Sequence, residues 1–150
     1  MEIWLVFQWN SFGTIEVYET FGLRNIRKRI LVVEDDISMQ KLVDFHLKDI
    51  YDVSVVSDGW DAINALNQDL GFDLILTDIE MPELSGLKLI EILDDIPGLS
   101  RIPVIIMSSL ICDSIKLDLE LSNYYGCLQK PIVPAEMYLR IEEAFVSKIG

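Results

Sequence analysis

Cysteine is scarce in this chain, with Cys112 and Cys127 the only two among 150 residues. A chain long enough to build its own core needs no disulfide framework, so both are expected to be reduced thiols that pack. Long apolar runs are missing as well. None approaches the roughly 18 residues that a membrane-spanning helix requires. Glu2 stands where a secretory leader would carry positive charge, and Gln8, Asn10 and Ser11 interrupt the apolar stretch behind it, so a cytoplasmic location is expected. Basic residues are few, 12 against 25 acidic ones, for a net charge of −13. Phosphate neutralisation needs a basic face, and its lack argues against direct nucleic-acid binding. Setting aside Arg24, Arg27, Lys28 and Arg29 and also Glu2, Glu16 and Glu19, residues 30–150 hold 8 basic and 22 acidic groups, or −14. That balance describes a soluble, cation-attracting protein.

What is present is apolar substance, 51% of the chain, enough for one domain with one good core. Five short runs recur with helix-length segments between them: Ile30–Val33, Val53–Val56, Leu74–Leu76, Val104–Met107 and Cys127–Leu128. Near-continuous apolar strands imply burial on both faces, the condition of a parallel sheet sandwiched between helices. The fold class is therefore α/β, doubly wound. Helical spacing places Met39, Val43, Leu47 and Ile50 on one face after the first strand. Asp58-Gly59 and Ser85 read as helix starts, Pro97-Gly98 as a stop, and Pro134 as the first turn of the last helix.

Two stretches fit less easily. Residues Ile115 to Ser122 alternate apolar and polar with the period of a strand, yet the βα order asks for a helix there, and a short or distorted helix is expected. Residues 1–29 form an extension ahead of the domain at 30–150, with Ile3 to Trp9 and Thr14 to Tyr18 as a candidate hairpin and Arg24 to Arg29 as a basic linker. A lone hairpin is marginal in water, so it docks or stays loose.

In a doubly wound sheet, ligands collect beyond the carboxyl ends of the strands, where the winding direction reverses. Glu34-Asp35-Asp36 ends the first strand, Asp78 the third, Ser108-Ser109 the fourth and Lys130-Pro131 the fifth. Carboxylates that converge at 4 Å repel by about 4 kcal/mol per pair at an effective dielectric of about 20. A hard divalent cation with oxygen ligands compensates, and Mg²⁺ takes one or two carboxylates, waters and phosphate oxygens. With Lys130 opposite, Asp78 can act as a nucleophile towards a phosphoryl group.

These residues resemble the response-regulator receiver domains. The resemblance runs from Arg29 to about Ile149 on four motifs, Arg29-Ile30-Leu31-Val32-Val33-Glu34-Asp35-Asp36, Asp78 to Gly86, Pro103 to Ser108, and Lys130-Pro131. It implies a five-stranded flavodoxin-like sheet in the order 2-1-3-4-5, and a cis bond before Pro131. It implies Asp78 as phosphoacceptor and Asp35 as direct ligand of Mg²⁺ (or Mn²⁺), with Glu34 assisting indirectly, and the backbone carbonyl of Glu80 completing the protein's share. Ser108 then bonds a phosphoryl oxygen and Lys130 pairs with it. The implied donor is a sensor histidine kinase or histidine phosphotransfer protein, and the implied reader is a downstream protein target, with no membrane and no nucleic acid involved. A homodimer through the 112–129 face is left open.

Departures from the family pattern limit what it implies. Cys127, three residues before Lys130, stands where the family commonly has Tyr or Phe as a rotamer switch, and Tyr124 and Tyr125 precede the expected strand. The expectation is a signalling switch without turnover of external substrates, as a stand-alone receiver, a relay intermediate or a piece of a larger protein. Two alternatives stand beside it. One is a receiver-shaped interaction module that takes no phosphate; the other is a Mg²⁺-dependent phosphatase, whose Asp-x-Asp signature would need Asp where Glu80 stands. Blander readings apply elsewhere: Asp36 as a helix cap, Ser109 as structural, His46 as packing or surface, Gly59 and Gly86 as turn residues, and Trp4, Trp9 and Trp60 as partly buried anchors.

Overall fold

The computed structural model describes residues 3–9, 15–21, 27–112, 115 and 121–147, with side chains from residue 27 onward. Two strands, β1 (Ile3–Trp9) and β2 (Ile15–Phe21), pair antiparallel from Ile3↔Phe21 to Trp9↔Ile15. The main sheet holds β3 (Arg29–Val33), β4 (Asp52–Val56), β5 (Leu74–Asp78), β6 (Val104–Ser108) and β7 (Tyr124–Gln129). All pairings are parallel and the order is β4-β3-β5-β6-β7, which is 2-1-3-4-5 when counted within this sheet. Four helices connect them: α1 (Ile37–Leu47), α2 (Gly59–Gln68), α3 (Gly86–Asp94) and α4 (Pro134–Ser147).

Side chains alternate across a strand, so each strand feeds two cores. Leu31, Val33, Ile75 and Ile106 face one cluster with Ala62 and Leu66 of α2 and Leu89, Ile90 and Leu93 of α3. Ile30, Val32, Leu74, Leu76, Ile105 and Met107 face the other with Val43 and Leu47 of α1 and Met137 and Ile141 of α4. Strands β5 and β6 are buried along their whole length, the consequence of helices on both faces. Helix α1 is capped by the Asp36 carboxylate on the Met39 amide, α2 by Asp58 on Asp61, and α3 by Ser85 on Lys88. The caps fix where each connection ends, and so where each loop can meet the strand ends.

Several expectations are corrected. Tyr124 and Tyr125 lie within β7 instead of before it, because the strand continues through Gly126. A register shift between Val104 and Ile105 then turns Tyr124 and Cys127 towards the α2–α3 core and Tyr125 and Leu128 towards the other. Cys112 and Cys127 are not separate thiols: they form a disulfide, with Cα atoms 5.8 Å apart and a sequence separation of 15. The cause is topological, since Cys112 follows β6 and Cys127 lies on the neighbouring strand. Arg29 is no linker residue but opens β3, where its guanidinium pairs with Asp69 at 2.7 Å and Asp52 at 3.4 Å and covers the Phe72 ring. Trp60 is about half exposed, and Ile50 leaves the α1 core face because that helix stops at Leu47. Most of the alternating Ile115–Ser122 segment, for which a short helix was expected, lies outside the described residues.

Candidate functional site

The carboxyl ends of β3, β5, β6 and β7 converge, and with them the polar residues those strands deliver. Glu34, Asp35 and Asp78 each offer a carboxylate oxygen within 4.8 Å of the others. Glu34 and Asp78 are buried, whereas Asp35 is exposed. The Lys130 ammonium reaches both buried partners, 2.9 Å from Glu34 Oε2 and 3.1 Å from Asp78 Oδ1.

Backbone donors and close packing fix these groups. The Asp36 amide donates to Glu34 Oε1 at 3.1 Å, and the Ile79 amide donates to Asp78 Oδ1 at 2.8 Å. The Glu34 amide is held by the Val56 carbonyl of β4, and the Lys130 amide by the Ser108 carbonyl at 2.7 Å. The bond from Lys130 to Pro131 is cis. Ser108 is fully buried and its Oγ accepts the Leu110 amide at 3.0 Å, while Ser109 is exposed and offers its carbonyl to Gln129. The Glu80 side chain is exposed. Asp36 caps α1, with its Oδ1 2.8 Å from the Met39 amide. His46 contributes its carbonyl to the Tyr138 hydroxyl, on α1 and away from these groups.

Electrostatics give the site its character. Burial pushes the Glu34 carboxyl above the usual carboxylate range and the neighbouring Asp78 charge adds to this, against the opposing bonds from Lys130 and the Asp36 amide. Burial alone would lower Lys130, but hydrogen bonds and charges from Glu34 and Asp78 outweigh it and raise the ammonium above its ordinary value. Three carboxylates, those of Glu34, Asp35 and Asp78, thus gather around one ammonium, that of Lys130, and negative charge exceeds what it balances. That imbalance, with three carboxylate oxygens converging, fits a small divalent cation with oxygen ligands.

Glu34 therefore carries a pH signature. Its folded-state value lies above its unfolded value, so its contribution to stability is full below the unfolded value and is lost as pH rises through the folded one. In metal-free solution the stability of Glu34→Gln relative to the parent should improve as pH rises from about 4 to about 7. Thermal melts at both pH values check this, and a difference that moves the other way rejects it.

Three contributors escaped the sequence reading. Gln40 donates to the Glu34 carbonyl at 2.6 Å from the first turns of α1. Gln129 accepts the Cys112 amide at 3.2 Å and donates to the carbonyl of Ser109 at 3.1 Å. Neither glutamine has a sequence signal: Gln129 acts on chain 17 and 20 residues away, and Gln40 folds back on Glu34 across the loop that joins β3 to α1. Gly86 is more than a turn residue: a Cβ there would lie 2.1 Å from the Asp78 carbonyl oxygen. Its amide donates to the Ile79 carbonyl at 3.1 Å, so α3 starts pressed against the loop that follows Asp78. Gly86→Ala should cost about 2 kcal/mol by overpacking, read by denaturant titration, and unaltered stability would show that the loop yields freely.

A family model described as the response regulator receiver domain matches residues 30–142. The chain belongs to that family. Among curated proteins, this receiver is 35% identical over 113 residues to the "Probable transcriptional regulator ycf29" of Pyropia yezoensis, covering 73% of the chain and 49% of that protein. It is 39% identical over 89 residues to the 3',5'-cyclic-nucleotide phosphodiesterase regA of Dictyostelium discoideum, covering 57% of the chain but 11% of that protein. The chain thus spans half or less of these relatives. Among solved structures, the Francisella response regulator 1452 receiver domain superposes with a TM-score of 0.69 at 28% identity, covering 80% of the chain and 98% of that one. The Vibrio cholerae chemotaxis response regulator CheY4 superposes with a TM-score of 0.72 at 23% identity, covering 79% and 98%, which speaks for the fold alone. Receivers of this family are phosphoryl-accepting signalling domains. No helix among the described residues is long and apolar enough to cross a membrane.

Proposed function

We propose that Asp78 takes a phosphoryl group from a phosphohistidine on a sensor kinase or phosphotransfer protein, and that the phosphorylated domain is read by another protein. The observation that carries this is the Lys130 ammonium held within 3.1 Å of both Glu34 and Asp78, in a site where Asp35 adds a third carboxylate. Asp78 Oδ attacks phosphorus, the bond to the donor imidazole nitrogen breaks, and the imidazole leaves with that electron pair. Lys130 accompanies the phosphoryl group as charge moves onto its oxygens, and Ser108 donates its hydroxyl to one of them. Asp35 and Asp78 are assigned as direct ligands of Mg²⁺ or Mn²⁺, with the Glu80 carbonyl completing the set and Glu34 acting through water. When bound there, the ion supplies countercharge to the phosphoryl oxygens. The receiver proper is assigned to residues 30–150 and the extension to 1–29, with a cytoplasmic location and no turnover of external substrates.

Intact mass after incubation with Mg²⁺ and acetyl phosphate tests the reading. One added phosphate, absent when Mg²⁺ is left out of the incubation, is the expected result. No addition from acetyl phosphate or from a purified kinase would leave the receiver-shaped interaction module. Continuous turnover of a phosphate monoester would instead indicate a phosphatase.

A further inference from the structure

The disulfide joins the two strand ends that supply the groups opposite Asp78. Cys112 lies four residues after Ser108, and Cys127 three residues before Lys130. The same two ends are tied by the Lys130 amide on the Ser108 carbonyl and by Gln129, which accepts the Cys112 amide and donates to the Ser109 carbonyl. Every one of those ties is a hydrogen bond that can exchange with water, except the sulfur bridge. Ser108 Oγ accepts the Leu110 amide, so its position depends on the turn that the bridge closes. Both cysteines are only partly buried, and beside them Leu110 and Ile111 are exposed. Bridges within reach of solvent are the ones that take part in regulation, whereas structural bridges resist reduction.

We propose that Cys112–Cys127 is a reversible thiol–disulfide exchange site, reduced by a dithiol, and that it locks the loop bearing Ser108 to the strand bearing Lys130. A thiolate of the dithiol attacks one sulfur of the bridge and displaces the other as a thiolate, which takes a proton. The second thiol of the reductant then displaces the mixed disulfide, so two electrons and two protons end on Cys112 and Cys127 as the dithiol becomes a disulfide. Oxidised protein holds the hydroxyl and the ammonium at fixed positions around Asp78. Reduced protein keeps the two strand ends together by hydrogen bonds alone, so the loop after Ser108 opens more often. The consequence for signalling rests on the assignment of Asp78 as phosphoacceptor; the lock itself does not.

The test uses the full chain in glutathione buffers of graded composition, with free thiols trapped by an alkylating reagent and counted by intact mass. Under native conditions a small dithiol should open the bridge, and glutathione disulfide should close it again. Amide hydrogen exchange of the segment from Ser109 to Cys112 should quicken at least about fivefold on reduction. With acetyl phosphate and Mg²⁺, the reduced form should lose phosphate from Asp78 at least about threefold faster than the oxidised form. Cys112→Ser and Cys127→Ser should each match the reduced parent and ignore the dithiol. A bridge that opens only on denaturation, or thiols that never pair, would overturn the exchange site. Equal hydrogen exchange in the two forms would overturn the lock. If neither form takes phosphate, the phosphoacceptor reading falls, and hydrogen exchange alone decides the lock.

Discussion

Asp78→Asn should take up no phosphate from acetyl phosphate or from any phosphohistidine donor while keeping its fold. The amide preserves the shape of the side chain, and its oxygen can still accept the Ile79 amide, now 2.8 Å from Asp78 Oδ1. It lacks the anionic oxygen that attacks phosphorus, so the loss is complete and not a matter of affinity. Neutralising Asp78 also removes one negative charge beside the buried Glu34, whose carboxyl that charge helps to push upward. The metal-free variant is therefore expected to be no less stable than the parent at neutral pH. Intact mass reads the first effect and thermal melting the second. Phosphate retained on the variant would mean that another residue is the acceptor.

Lys130→Met should be the most destabilising change in the site. The ammonium is the sole cation paired with Glu34 and Asp78 among the described residues, and Glu34 is 1% exposed. Methionine keeps much of the packing volume but leaves two buried carboxylates facing each other. Breaking a buried ion pair from one side costs about 3 kcal/mol or more. Acid should recover part of this, because protonating Glu34 removes the unpaired charge, and millimolar Mg²⁺ should recover part of it by replacing the lost countercharge. Denaturant titrations at neutral pH, at about pH 4.5 and with Mg²⁺ separate these contributions. A loss of equal size under all three conditions would show that Lys130 acts through packing instead of charge.

The parts of this molecule that were legible in sequence are those whose pattern is local. Strands β3, β5 and β6 announce themselves because burial on both faces leaves only apolar residues, as in Leu74, Ile75 and Leu76. Strand β7 was read too short because it lies at the sheet's edge, where Tyr124, Tyr125 and Gly126 are only partly buried and break the aliphatic run. Carboxylates at strand ends were legible as a set because topology alone brings those ends together. The disulfide was not, because its geometry depends on the β6–β7 register, which a shift beside Val104 resets. Gln40 and Gln129 were silent for the same reason, since their partners are set by how loops stack over the sheet and not by spacing along the chain.

Strand β3 carries two unrelated charge systems at its two ends. Arg29 clamps Asp69 and Asp52 at the entry, and Glu34 begins the acidic cluster just past the exit. Five steps of extended chain separate them, about 16 Å at the usual rise. That span exceeds the distance over which substitutions in folded proteins cease to influence one another. The entry clamp can therefore drift or be strengthened without retuning the chemistry at the exit. Variation in robustness and variation in signalling are open to selection separately along a single strand.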